Sequence, residues 1–139
     1  MKLTNQTVIT NGDSKPNGDL VIQTLAMPMD TNVNGDIFGG WVLSQMDIGA
    51  GVVAKINSPT GRAVTVSVDS MSFINPIHVG ELVSVYASVL DRGRTSIKIQ
   101  VEVWVYNYFN KVFKQVTSGI FKYVAIDDNS KPIPLIKVD

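Results

Sequence analysis

A chain of 139 residues is long enough for one domain with one hydrophobic core, and its 45% hydrophobic and 17% charged content reads as globular, not disordered. A formal net charge of zero, with no basic run, argues against a nucleic-acid partner held through its phosphates. The absence of cysteine excludes disulfides, thiolate nucleophiles and zinc–sulfur sites.

Residues 1–17 read as a flexible N-terminal arm, since Asn, Gly, Asp, Ser and Pro dominate after Asn11. Met1 to Gly18 carries no apolar segment of the signal-peptide kind, and no apolar run is long enough to span a bilayer. The expected location is the cytoplasm, without membrane insertion. Leu20 to Leu25 is a short β-branched run and predicts the first strand. Ala26 to Phe38 has no period and contains a Pro, two Asn and two Asp; loops of this length in compact domains are usually functional or disordered. Gly39-Gly40 then opens a predicted helix over Trp41 to Ile56. Trp41, Leu43, Met46, Ile48, Val52, Val53 and Ile56 spread apolar surface around most of it, which predicts a buried helix. Ser44, Asp47 and Gly51 fall on one narrow stripe of polar and small residues. Asn57 to Gly61 ends the helix.

The remainder predicts β structure. Val64, Val66 and Val68 alternate with Thr65, Ser67 and Asp69, and a turn follows at Asn75-Pro76. Glu81 to Leu90 is the next strand, and Asp91-Arg-Gly-Arg94 has the glycine of a hairpin turn. Ile97, Ile99, Val101, Val103 and Val105 give the clearest period of two, with Lys98, Gln100, Glu102 and Trp104 opposite. Val112 to Ile126 is the last strand, followed by a turn and a Pro-containing tail. With no repeat and no linker, residues 18–139 form one domain of the α+β class. One helix can cover only one face of a mostly antiparallel sheet, so a helix this apolar needs further cover, and a second subunit can supply it.

Asp47 is the sharpest chemical clue, because a carboxylate within an apolar helix is costly unless it is paired or hydrogen-bonded. It also fits an exposed polar stripe, or a bond to a backbone group. Free N–H groups at Gly39 and Gly40, at the positive end of the helix dipole, suit an anion or a developing oxyanion; the same pair also fits a tight turn. The two features lie eight residues apart on one rod, roughly 12 Å at the helical rise, which is too far for one copy to apply both to one carbonyl. Two antiparallel copies across a twofold axis can do so. Asn32, Asn34 and Asp36 sit in the long loop as turn formers. His78, the only histidine, sits in Pro76 to Gly80 and reads as a surface-turn residue, so a histidine-based metal site is not expected. Arg94, Thr95 and Ser96 follow the hairpin glycine and can hold a phosphate, or simply be solvated.

Taken together, Thr24-Leu-Ala-Met-Pro-Met-Asp30, Asn34-Gly-Asp-Ile-Phe-Gly-Gly-Trp41 and Ser44-Gln-Met-Asp47 resemble the YciA-type bacterial acyl-CoA thioesterases. Val64-Thr-Val-Ser-Val68, Asn75-Pro-Ile-His-Val-Gly80, Gly93-Arg-Thr-Ser96 and Val101-Glu-Val-Trp104 extend the likeness, which runs from about Gly18 to the tail. The resemblance implies a hot-dog fold, in which a five- to six-stranded antiparallel sheet wraps a long central helix. It implies a double hot-dog dimer with shared active sites, often stacked as a trimer of dimers. The implied reaction is hydrolysis of fatty acyl-CoA to free fatty acid and CoA, with no cofactor beyond the CoA of the substrate. In that family Asp47 matches the base or nucleophile, Asp36 faces it from the partner subunit, and Gly39 and Gly40 hold the thioester oxygen. Asn34, Phe38 and Ser44 lie within the matching motifs and are expected at the substrate, and Arg94, Thr95 and Ser96 near the CoA phosphates. Phe38 departs from the His-Gly-Gly start frequent in the wider family, though YciA-type members carry Phe there. The N-terminal arm matches nothing. Two other readings use the same scaffold: a hydratase acting on acyl thioesters, which usually needs a histidine near the helix, and a non-catalytic acyl-CoA-binding module.

Overall fold

The alternating β-branched segments form long strands because such residues pack well on a half-buried pleated surface. The structure is a computed structural model that describes residues 2–3, 6–7, 9–10 and 15–138. Its elements are β1 (Lys2–Leu3), β2 (Gln6–Thr7), β3 (Ile9–Thr10), β4 (Asp19–Leu25), a 3₁₀ turn (Pro28–Asp30), α1 (Gly39–Ile56), β5 (Ala63–Phe73), β6 (Leu82–Arg92), β7 (Ser96–Tyr106) and β8 (Val112–Ala125). The main sheet runs β4-β6-β7-β8, and β8 also carries β5 along its C-terminal part and β3 beside Val112 and Phe113. Every pair in this sheet is antiparallel except β3 with β8. The α+β class and the sheet wrapped on one helix agree with the sequence expectation. No helix among the described residues is long and apolar enough to cross a membrane.

The expected flexible arm falls partly on residues 1, 4, 5, 8 and 11–14, which lie outside the described residues. Within the rest of it, β1 pairs with β2, β3 runs along β8, and Asn17 hydrogen-bonds Glu102 Oε1 at 3.1 Å and Gln100 Oε1 at 3.0 Å.

The inner face of the sheet is the alternation read from β7, with Ile97, Ile99, Val101, Val103 and Val105 all buried. Against it lie Val42, Met46, Ala50 and Ala54, at the four-residue spacing that puts side chains on one helix face. Gly49 sets how closely the helix approaches: a Cβ there would lie 2.8 Å from Val21 Cγ2 and 3.2 Å from Val85 Cγ1. On the outer face Trp104 stacks on Phe113 at 5.1 Å, and its Nε1 donates to Glu102 Oε1 at 3.0 Å.

Two local expectations change. The helix starts at Gly39, two residues before the predicted start, because glycine's poor intrinsic propensity conceals a helical turn fixed by the tertiary fold. The alternation of Val64, Val66 and Val68 does not mark a single face. Register shifts between Thr65 and Ser67, and again between Asp69 and Ser72, interrupt β5, and Ser70 has φ of 54°. Val68 therefore pairs with Phe121 of the inner face, whereas Val64 pairs with Val124 on the other side. Bulges of this kind re-aim side chains along an edge strand.

The helix is also not buried all round within one chain. The sheet covers one side, and Leu43, Ile48, Val52 and Ile56 stay exposed on the other, Ile48 by 57% and Ile56 by 70%. Substituting Gly49→Val is expected to destabilise the fold by about 1–3 kcal/mol, since the added atoms would press on Val21 and Val85. The midpoint of urea unfolding measures it; an unchanged midpoint would mean the helix can lift from the sheet at no cost.

Candidate active site

Asp47 occupies the middle of α1, where the exposed apolar face meets the edge of the sheet. Its carboxylate is neither free nor bound to a backbone donor. Thr65 Oγ1 donates to Oδ1 at 2.7 Å, and the Tyr123 hydroxyl donates to the same oxygen at 2.7 Å while lying 3.0 Å from the Asp47 carbonyl oxygen. Oδ2 accepts no hydrogen bond from the described residues. Thr65 and Tyr123 are direct cross-strand neighbours on β5 and β8, so one register position delivers both donors. Burial pushes the Tyr123 phenol well above its ordinary value, and the hydrogen bond and negative charge of Asp47 add to that shift. The phenol is therefore a protonated donor. Asp47, Lys55, Ala63, Thr65 and Tyr123 line a cavity of about 520 Å³ open to the exposed helix face. Neither Thr65 nor Tyr123 carries a signal in the sequence, because the pairing that joins them is a long-range register.

The start of α1 has the open donors that the glycine pair predicts. Trp41 and Val42 N–H groups bond the Phe38 carbonyl at 3.1 and 3.2 Å, whereas those of Gly39 and Gly40 find no acceptor among the described residues. Phe38 provides no side-chain cap. Gly39 lines a cavity of about 280 Å³ with Ile37, Val42, Phe73, Ile77 and Thr117. The loop before it is held by Asn32, whose Oδ1 accepts the N–H of Asn34 at 2.9 Å and of Asp36 at 3.2 Å. Gly35 adopts φ of 83° to close that turn, a value open to glycine. The loop is docked by Ile37 N–H on the Ile77 carbonyl at 3.0 Å.

Asp36 faces His78, with Oδ1 3.3 Å from Nδ1, so the exposed histidine of the surface turn adjoins an expected site residue. Behind it the buried Glu81 carboxylate accepts the His78 N–H at 2.7 Å and Asn107 Nδ2 at 3.3 Å, which fixes the turn. Asn34 and Phe38 are exposed on the loop, and Ser44 Oγ donates to the Trp41 carbonyl at 2.7 Å. Arg94 lies at the far end of the molecule, in a cleft of about 420 Å³ between the β6–β7 hairpin and the tail, with Arg92 and Lys137 beside it. Thr95 and Ser96 belong to the same hairpin, their carbonyls accepting from Ala125 and Gly93. The described chain thus brings Asp47 to Thr65 and Tyr123, and Asp36 to His78. It leaves Gly39, Asp47 and Arg94 in three different cavities.

The sequence and fold are those of a known family. Residues 34–107 match the thioesterase superfamily. The chain is 50% identical over 130 residues to the acyl-CoA thioester hydrolase YciA of Salmonella typhimurium, covering 91% of this chain and 97% of that protein. It superposes on the hexameric thioesterase of Yersinia pestis with a TM-score of 0.83 at 50% identity, covering 89% of this chain and 100% of that one. A hexameric hotdog-fold thioesterase of Campylobacter jejuni superposes with a TM-score of 0.80 at 37% identity, covering 86% and 91%. A carboxylate held at mid-helix, a glycine-opened helix start and these likenesses over most of its length place the chain in the hot-dog thioesterase superfamily, among its YciA-type acyl-CoA thioester hydrolases.

Proposed function

We propose that this chain hydrolyses acyl-CoA to free acid and CoA at a site built from two copies of itself. The observation that carries this reading is the separation of its two active elements. Asp47, held on Oδ1 by two donors, is eight residues along the same helix from the open N–H groups of Gly39 and Gly40, roughly 12 Å. A partner helix running antiparallel brings its own first turn beside Asp47. The exposed side of the chain is built for such a partner: Leu43, Ile48, Val52 and Ile56 adjoin β5, an edge strand with Val64, Val66 and Phe73 exposed. A long apolar edge of this kind is normally covered, and a twofold contact pairs it with itself. Stacking of three such dimers would give the hexamer described for the Yersinia pestis and Campylobacter jejuni relatives. The cytoplasm is the proposed compartment.

In this site the thioester oxygen accepts the N–H groups of Gly39 and Gly40, which stabilise the negative charge that develops on it; a donor of this kind contributes about 3–4 kcal/mol. Asp47 of the other chain either takes a proton from water as that water adds to the carbonyl carbon, or attacks the carbon itself to form a mixed anhydride that water then opens. In both routes the carbon–sulfur bond breaks and the thiolate of CoA leaves and takes up a proton. Asp36, steadied by His78, approaches from the chain that supplies the glycines, with Asn34, Phe38 and Ser44 near the substrate. The apolar cavity behind Gly39 suits the acyl chain. The cationic cleft of Arg92, Arg94 and Lys137, beyond Asp47 toward the C-terminal end of α1, carries the charge that suits the CoA phosphates.

Asp47→Asn is expected to lower kcat at least about a hundredfold with fold and CoA binding retained, since an amide keeps the shape but neither accepts the proton nor attacks. More than about a tenth of wild-type kcat in that variant would remove Asp47 from the chemistry. Arg94→Ala is expected to raise KM more than it lowers kcat, because a phosphate anchor contributes alike to ground and transition states; KM unchanged at low salt would take Arg94 out of the site. The shared site has its own test. Asp47→Ala and Asp36→Ala, each nearly inactive, are unfolded and refolded together. Half the dimers are then mixed, and one of the two sites in each carries no lesion, so about a quarter of wild-type activity returns. No recovery, with mixed dimers seen by mass, would show that both residues serve one chain's site.

A further inference from the structure

We infer that Tyr123 is a positioning residue for the hydrolysis, clamping Oδ1 of Asp47 through its hydroxyl so that Oδ2 is the oxygen presented to water or to the thioester. The inference rests on Asp47 as the reacting carboxylate, as proposed above, and adds a residue that the sequence motifs do not contain. A carboxylate on a helix turns freely about its last side-chain bond, and one hydrogen bond leaves either oxygen able to take either place. Here two donors from two different strands converge on the same oxygen, each at 2.7 Å. Any turn of the carboxylate away from this pose must break both bonds at once, so one oxygen is held and the other is left facing outward.

Of the two donors Tyr123 is the rigid one. Its side chain is 2% exposed, and its ring lies 6.5 Å from that of Phe121 at 16° between planes. Gly51, one turn beyond Asp47, packs next to it, so that a Cβ there would lie 3.9 Å from Tyr123 Cε2. Thr65 sits on the exposed edge strand beside a bulge, with no such packing around it. The Tyr123 hydroxyl reaches Asp47 twice, at Oδ1 and at 3.0 Å from the main-chain oxygen, so it is tied to the helix backbone as well as to the reacting group. A phenylalanine would fill the same space without a polar atom to satisfy, and burying a hydroxyl is costly unless it is bonded. What the oxygen contributes here is its grip on Asp47. Burial first, and then the adjoining Asp47 carboxylate, raise the phenol's pKa and so favour the protonated, donating form.

The test is a double-mutant cycle, because a residue that only packs the core would act the same whether or not Asp47 is ionisable. Steady-state kcat and KM for butyryl-CoA and palmitoyl-CoA are measured for the wild type, Tyr123→Phe, Asp47→Asn and the double variant, with thermal melts of each. Tyr123→Phe is expected to lower kcat about tenfold or more, with KM within about twofold. In the Asp47→Asn background the same change is expected to lower the residual kcat by less than about twofold. Wild-type kcat in Tyr123→Phe, or an equal loss in both backgrounds, would overturn the positioning role. An active Asp47→Asn would instead overturn the catalytic reading of Asp47, and this inference with it. An inactive Asp47→Asn beside an unimpaired Tyr123→Phe would overturn this inference alone.

Discussion

Eight residues of α-helix separate the open N–H groups of Gly39 and Gly40 from the carboxylate of Asp47, and a rod cannot bring its own start to its own middle. Much else in this chain accords with that constraint. The sheet packs onto one side of the helix through Val42, Met46, Ala50 and Ala54 and leaves Leu43, Ile48, Val52 and Ile56 uncovered. An apolar face beside an unpaired strand edge is a liability for a monomer. In the proposed dimer the same face becomes the surface that joins the two halves of the site. Assembly and chemistry would then have a single physical cause.

The close packing of helix on sheet sets the chemistry at Asp47. Gly49 allows the helix to approach β4 and β6, where any larger residue would meet Val21 and Val85. On the neighbouring face that approach brings Asp47 within reach of the strands, so Thr65 and Tyr123 can hold one of its oxygens. A carboxylate half withdrawn from water is stabilised by these donors, and one lone-pair-bearing oxygen stays available. The bulges of β5 belong to the same arrangement. They shift the strand's phase between Thr65 and Val68, so a polar donor and an apolar side chain, three positions apart, pair with the inward-facing Tyr123 and Phe121.

The loop from Ala26 to Phe38 reaches its place by a different route. Between its buried ends, Ala26 and Ile37, it is held by local hydrogen bonds, among them the two accepted by Asn32 Oδ1. Its far end is fixed to the Pro76–Gly80 turn, which in turn is anchored by the buried Glu81. His78, unremarkable in the sequence, thereby stands against Asp36. Two segments far apart in the chain form one rigid edge at the start of the helix.

The sequence by itself determined the five long strands from Asp19 onward, the helix and their order, because periods of two and of nearly four are local properties that burial on one face imposes directly; the short strands within residues 1–17, read as a flexible arm, it did not show. It also marked Asp47 as an exception within an apolar helix, and the run from Asn34 to Trp41 as belonging to a known family. Only the tertiary structure decided which groups hold Asp47, which loop His78 serves, and where the alternation of β5 breaks. The reason is physical: Thr65 meets Tyr123, and Asp36 meets His78, through strand register and loop docking between distant segments, and no local pattern encodes a register. The first turn of the helix was hidden for a related reason, since Gly39 and Gly40 are helical through the fold around them and not through their own propensity.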